Sequence, residues 1–228
     1  MKARIPSFDY RLKRERLDIR DVSLDLECLE DLDQTIDQLF EHLAKGGNPS
    51  LLEELCPYFG VVWPSARALS ELLVDEFRQK LVGAKVLEVG CGLAIPSMIA
   101  HKLGADVTAA DFHPEVPHFL ARNLANNHIS NIRYVALDWT QPGDGAEKYE
   151  FVIGSDILYE KAHPAAVARA VASLLTPTGT ALIADPARPY LQEFSDQMRA
   201  AGFSVKTEVR HAATKDIFLL TFKKQQQM

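Results

Sequence analysis

The sequence predicts an α/β fold: a doubly wound, mostly parallel sheet of seven strands, closed by an antiparallel hairpin at its edge and preceded by an N-terminal extension. Three observations carry this. From Lys85 onward, short apolar runs alternate with amphipathic helical runs. Such alternation joins parallel strands by right-handed crossovers and covers both sheet faces with helices. The last two apolar runs are separated only by RHAATK, which leaves no room for a crossover helix, so they pair antiparallel. Residues 1–60 lack the alternation and are read as the extension, leaving 61–228 as the main domain.

Within the extension, DYRLKRERLDI and VSLDLECL alternate in part and are read as two hairpin strands. DLDQTIDQLFEHLAK places Leu32, Ile36, Leu39, Phe40 and Leu43 on one helical face, and Gly46-Gly47-Asn48-Pro49 stops it. VVWPSARALSELLVDEFRQ is a second amphipathic helix, with Leu69, Leu72, Leu73 and Phe77 inward and Ser65 as its N-cap. Then come the strand KVLEVG and a helix over 95–103, and the strand DVTAAD and a helix over 114–127. IRYVAL and YEFVIGSD are strands, and a helix over 164–175 turns Val167, Ala170, Val171, Leu174 and Leu175 inward. GTALIAD, a helix over 189–201, FSVKTEV and DIFLLTF complete the chain.

With 228 residues, 47% hydrophobic and 25% charged, the chain can bury a full core. A net charge of −6 speaks against a nucleic-acid partner, which calls for a basic footprint. The one basic cluster, Arg11 to Arg16, is read as a solvated strand face. Three widely spaced cysteines without a CxxC fit neither a disulfide framework nor a zinc site. The histidines show no metal-ligand spacing, so no metal is expected. No apolar run has the length of a signal peptide core or a membrane span. A soluble, cytoplasmic monomer is the expectation.

The chemistry concentrates at VLEVGCGLAIP, Val86 to Pro96, where the first parallel strand runs into a glycine turn. In open parallel sheets ligands bind there, beyond the carboxyl ends of the strands. A dinucleotide fingerprint aligned on Gly90 and Gly92 puts Ile95 where a small residue is needed. Glu88, two residues before the turn, would repel a pyrophosphate and attract a ligand with a positive end. A nicotinamide dehydrogenase is disfavoured on both counts. Glu88-Val-Gly90-Cys-Gly92-Leu-Ala94 resembles the first motif of class I S-adenosylmethionine-dependent methyltransferases, E/DxGxGxG, departing from it at Ala94. The resemblance implies a Rossmann-like fold, S-adenosyl-L-methionine as cofactor, and Glu88 near the amino-acid end of that ligand. Cys91, inside the turn, is read as a small buried side chain.

Asp111 ends the second parallel strand, 21 positions after Gly90, close to the spacing of a ribose-binding acid. It either accepts both ribose hydroxyls or caps the next helix, and Phe112 either faces the adenine or joins the core. The resemblance implies Asp138 near the adenine amino group and Trp139 as an apolar wall, and it sets Gly154-Ser155-Asp156-Ile-Leu-Tyr159 over the methyl group. Val62-Trp63-Pro64-Ser65-Ala66, Leu137-Asp138-Trp139 and Asp156 to Tyr159, in that order, extend the likeness to methyltransferase family 16. That family holds protein lysine methyltransferases and is related to nicotinamide-methyltransferase-like enzymes. Cofactor contacts are therefore expected at Trp63, Glu88, Gly90, Gly92, Asp111, Phe112, Asp138, Trp139 and Ser155. Asp156 and Tyr159 are the expected catalytic pair: a carboxylate to orient an ammonium or take its proton, and a ring face for a cation. The implied activity is N-methylation of a protein lysine; a small heterocyclic amine is the alternative acceptor, and a cofactor-binding module without turnover a further one. Arg188, after the fifth strand, is read as an exposed loop arginine.

Overall fold

The computed structural model describes residues 8–139, 147–212 and 215–225. Strands β1 (Leu12–Ile19) and β2 (Val22–Leu29) form an antiparallel hairpin about the turn Arg20-Asp21. Helix α1 (Leu32–Lys45) follows, with Asp31 as its N-cap accepting from Gln34 N–H. A one-turn helix, α2 (Leu52–Leu55), leads to α3 (Pro64–Leu72), which passes through a π-helical turn (Leu73–Phe77) into α4 (Arg78–Leu81).

From there strands and helices alternate: β3 (Lys85–Val89), α5 (Ile95–Lys102), β4 (Asp106–Asp111), α6 (Val116–Asn126), β5 (Arg133–Ala136) and β6 (Tyr149–Ser155). Then α7 (His163–Leu174), β7 (Leu175–Asp185) and α8 (Leu191–Ala200) lead to the final strands β8 (Phe203–His211) and β9 (Asp216–Lys224). The seven-stranded sheet runs β5-β4-β3-β6-β7-β9-β8. Its first five strands are parallel, and β9 inserts antiparallel between β7 and β8. Chain order reverses between β3 and β6, so the crevice for a ligand opens at their carboxyl ends.

The hairpin joins the same core as the sheet, through Leu17, Ile19, Leu24 and Leu26. Two amides on α6, four residues apart, secure it. Asn123 accepts Glu27 N–H and donates to Glu27 O, and Asn127 does the same with Asp25. These side chains imitate the missing neighbour strand along β2, so the hairpin's polar edge is satisfied where it is covered. At the turn, Arg20 pairs with Asp75 on the π-helical turn, and Arg210 of β8 shares that carboxylate.

Two local expectations change. Ser65 is not the N-cap of α3: Trp63 holds that position and Ser65 lies inside the first turn, its hydroxyl buried without a partner. Pro64 supplies the start instead, since it has no N–H to satisfy. Phe40 does not face inward; it is 48% exposed, while Leu39 and Leu43 are buried. Helix α1 packs on the short segment around Leu51, Leu52 and Leu55 in a small core of its own, which covers only a narrow stripe.

Candidate active site

The glycine turn after β3 is built on left-handed backbone. Gly90 sits at φ +64° and Gly92 at +50°. A methyl group on Gly90 would lie 2.7 Å from Ile157 Cγ2, and one on Gly92 would lie 3.0 Å from Phe59 O. Both positions therefore need glycine for conformation and for space. Ala94, where the motif expects a third glycine, also adopts a left-handed φ of +57°. It holds the position before α5, at a strain cost of about 1 kcal/mol. Cys91 is buried, and burial pushes its thiol well up, away from nucleophilic character.

Glu88, expected beside the ligand, lies behind the loop. It is fully buried and outside the cavity wall, and its Oε2 accepts Ser97 N–H from the first turn of α5 at 2.9 Å. The pleat of β3 turns the side chain toward that helix instead of out along the strand. Burial pushes the Glu88 carboxyl up from 4.5 to about 8, with the Ser97 hydrogen bonds acting the other way. A proton held more tightly in the folded state stabilises it below the ordinary carboxylate range. That contribution is lost as pH rises through 4.5 toward 8. Glu88→Gln keeps an acceptor for Ser97 and removes the buried charge. Its melting temperature is expected to match the parent near pH 5 and to exceed it at pH 8. Thermal melts across that range check this; a variant no more stable at pH 8 than the parent refutes it.

A cavity of about 1160 Å³ opens at the ends of β3, β4 and β6. Its wall brings together Trp63, Gly90, Gly92, Asp111, Phe112, Asp138, Trp139, Ser155, Asp156 and Tyr159, residues spread across the chain. Small-molecule pockets span about 300–1,000 Å³, so a donor and an entering side chain fit together. Asp111 serves as a hub: its Oδ2 accepts Gly92 N–H and its Oδ1 accepts His113 N–H, each at 2.9 Å. Burial raises its carboxyl, and these backbone bonds oppose the rise. Phe112 is 49% exposed at the cavity mouth and does not join the core.

Residues that the sequence did not single out complete the wall. Segment Cys56–Gly60 crosses the turn, with Phe59 O facing Gly92 and the Phe59 ring packed against His113, centroids 4.3 Å apart and planes tilted by 40°. Burial pushes His113 down to about 4, so the imidazole is neutral. Trp63 Nε1–H donates to Tyr58 O at 2.9 Å and pins the segment. At the mouth, Tyr58 and Tyr159 are 46% and 45% exposed, ring centroids 6.3 Å apart, and Tyr159 meets His163 edge-on at 4.6 Å. The one local signal for this wall was the aromatic pair Tyr58-Phe59 just before Trp63.

Asp156 follows β6 in a left-handed conformation, φ +58°, and its N–H donates to Ala184 O of β7. Its Oδ1 lies 2.5 Å from Arg188 Nη1, while Oδ2 is buried with no hydrogen-bond partner. Arg188 is thus not an exposed loop arginine. Its side chain is 25% exposed and spans Asp156 and the fully buried Asp185. Two carboxylates from adjacent strand ends draw it inward, a pairing invisible along the chain.

These features fit S-adenosyl-L-methionine on the chemistry of the wall. A backbone turn admits close approach, a carboxylate stands at the second strand end, and aromatic faces flank it. The sequence model of the lysine methyltransferase family matches residues 56–199, which span the site from Trp63 to Arg188. Histone-arginine methyltransferase METTL23 of Rattus norvegicus is 32% identical over 127 residues, 50% of this chain and 56% of that protein. Protein-lysine methyltransferase METTL21E of Bos taurus is 35% identical over 118 residues, 47% of this chain and 39% of that protein. The chain spans about half the length of the curated relatives it matches. Among solved structures, the T. thermophilus 16S rRNA methyltransferase RsmC with AdoMet and guanosine superposes with a TM-score of 0.69. That match covers 96% of this chain and 52% of RsmC at 14% identity. Magnesium protoporphyrin IX methyltransferase of Synechocystis PCC 6803 with bound SAH superposes with a TM-score of 0.57 over 70% of this chain and 82% of that one, at 19% identity. At such identities the likeness is one of fold. With the family match spanning the glycine turn and the strand ends that wall the cavity, this chain belongs to the lysine methyltransferase family of class I, S-adenosyl-L-methionine-dependent methyltransferases.

Proposed function

We propose that this chain methylates nitrogen, with a lysine side chain of a protein as acceptor. The charge of the cavity carries the reading. Its wall holds Glu53, Glu54, Asp111, Asp138, Asp156 and Glu160, and among the described residues no lysine or arginine. Such a wall concentrates a cationic acceptor and repels a phosphate backbone. Tyr58 and Tyr159 offer ring faces to the same cation. Relatives named for lysine and for arginine transfer support a cationic side chain on a protein.

The bound donor supplies a methyl group activated on a cationic sulfonium. The protein's own residues have three tasks: hold the donor, align the acceptor nitrogen, and remove its proton. Gly90 and Gly92 would admit the donor to the backbone, Asp111 would take its ribose hydroxyls, and Phe112, Asp138 and Trp139 would enclose its base. Trp63 and Ser155 close the remaining wall. A lysine arrives protonated, with an unperturbed pKa of about 10.4, so transfer needs a base. Asp156 orients the ammonium and accepts its proton, and Tyr159 faces the cation.

The test incubates the purified chain with methyl-tritiated S-adenosyl-L-methionine and cell lysate, then separates protein from small molecules. Label in protein, released as methyllysine on hydrolysis, is expected. Label confined to the small-molecule fraction refutes the protein acceptor. No label anywhere, with S-adenosylhomocysteine still bound, identifies a binding module without turnover.

A further inference from the structure

Among the described residues, four aromatic side chains stand 45–49% exposed: Phe40, Tyr58, Phe112 and Tyr159. Tyr58, Phe112 and Tyr159 line the cavity. The reading above gives Phe112 to the donor's base, which leaves the other three. We propose that helix α1 and the Tyr58 side of the cavity mouth form a docking surface for a basic segment of the protein acceptor, the residues on either side of the lysine that enters the cavity. The inference rests on the protein-acceptor reading above.

Helix geometry brings Phe40 to the mouth. Ile36 of α1 lines the cavity. Residues three and four apart are neighbours on a helix surface, so Asp33 and Phe40 adjoin Ile36. The buried stripe of Thr35, Leu39 and Leu43 lies on one flank of Ile36. At about 100° per residue, Asp33, Phe40 and Asp37 fall on the other flank, and all three are exposed. The cavity rim therefore continues onto α1 as an apolar strip, Ile36 and Phe40, edged by two carboxylates. The segment after α1 adds Glu53, Glu54 and Tyr58 to the rim, and the loop after β6 adds Tyr159 and Glu160. These five are exposed as well.

Two properties specify the occupant. Exposed aromatic rings gathered in one patch mark a face that another protein covers, and aromatic residues are enriched in such contacts. Asp33, Asp37, Glu53, Glu54 and Glu160 surround the patch, and a negative rim favours lysine and arginine in the covering chain. Lys161, next to Glu160, stands outside the cavity wall. A small amine would enter the cavity and leave Asp33, Asp37 and Phe40 untouched. A lysine within a polypeptide brings its neighbours across the rim.

The experiment measures binding of three synthetic peptides to the S-adenosylhomocysteine-loaded protein by calorimetry. Each carries one central lysine, flanked by arginines, by alanines or by glutamates. At low salt the parent is expected to bind the arginine-flanked peptide at least about tenfold more tightly than the alanine-flanked one, and the glutamate-flanked one most weakly. At 1 M salt, where the screening length is about 3 Å, the preference is expected to vanish. Asp33→Lys with Asp37→Lys is expected to abolish it at low salt, with S-adenosylhomocysteine affinity unchanged. Glu193→Lys with Asp196→Lys makes the same change of charge at exposed positions of α8 outside the cavity wall and is expected to retain it. Phe40→Ser leaves the charges alone and is expected to weaken all three peptides about fivefold; it decides the matter if the charge reversal unfolds α1. No preference for arginine flanks in the parent, a preference that survives the reversal on α1, an equal loss in the α8 control, or affinities untouched by Phe40→Ser overturns the docking surface. So does sedimentation that finds the parent a dimer and Phe40→Ser a monomer, which assigns the face to a second copy. Each of these results leaves the protein-acceptor reading standing if lysate protein takes label. Label confined to small molecules removes that reading, and this inference with it.

Discussion

Asp156→Asn is expected to lower kcat/KM for methyl transfer by about a hundredfold or more while S-adenosylhomocysteine binds as before. Asparagine is the conservative probe because Asp156 sits at φ +58°, a conformation that asparagine tolerates better than most residues. The amide oxygen can still meet Arg188, so the trio at the ends of β6 and β7 keeps its shape. What disappears is a negative charge against the incoming ammonium and a site for its proton. The loss should fall mainly on kcat if proton removal dominates, and on KM if orientation does. Calorimetry with S-adenosylhomocysteine separates the two sides of the cavity. A matching fall in its affinity would place Asp156 with the donor and refute the acceptor role.

Gly90→Ala is expected to weaken S-adenosylhomocysteine binding by at least about a hundredfold and to cost about 3 kcal/mol of stability. Two terms add. Left-handed backbone at φ +64° strains any residue with a Cβ, by about 1–2 kcal/mol. The new methyl would also stand 2.7 Å from Ile157 Cγ2 and 3.1 Å from Trp139 Cζ3, and overpacking costs about 1–3 kcal/mol. Ile157 and Trp139 both line the cavity, so relief of the clash must deform it. Gly83→Ala is the control. Gly83 is at φ +73° with nothing within 4 Å, so only the strain applies. Urea unfolding and calorimetry check the pair. Equal losses in the two variants, with donor binding intact in Gly90→Ala, would refute the steric argument.

The long alternation from Lys85 to Lys224 was readable because each strand and helix carries its own period in consecutive residues. The site was readable for a related reason. In a parallel sheet every strand ends on one edge, so Gly90, Asp111 and Asp156 must converge once the strands are placed. Side-chain direction was harder. Glu88 belongs to the same motif as Gly90, yet the pleat sends it behind the loop to Ser97, and no spacing rule distinguishes those two faces of a strand buried on both. The wall formed by Tyr58 and Phe59, against which His113 packs, was missed because it comes from a segment with almost no periodic structure, laid across the turn by contacts with Gly92 and Trp63.

The chain's local patterns, then, specified a seven-stranded α/β sheet, a glycine turn at the end of its first parallel strand, and the carboxylates that follow the strands. Packing specified the rest. It set β9 between β7 and β8, lined up Asn123 and Asn127 along β2, and drew Arg188 onto Asp156 and Asp185. Periodicity and turn chemistry act between near neighbours and are written in consecutive residues. A buried ion pair or an amide-to-strand bond joins residues far apart in sequence, whose meeting depends on where every intervening element has already packed.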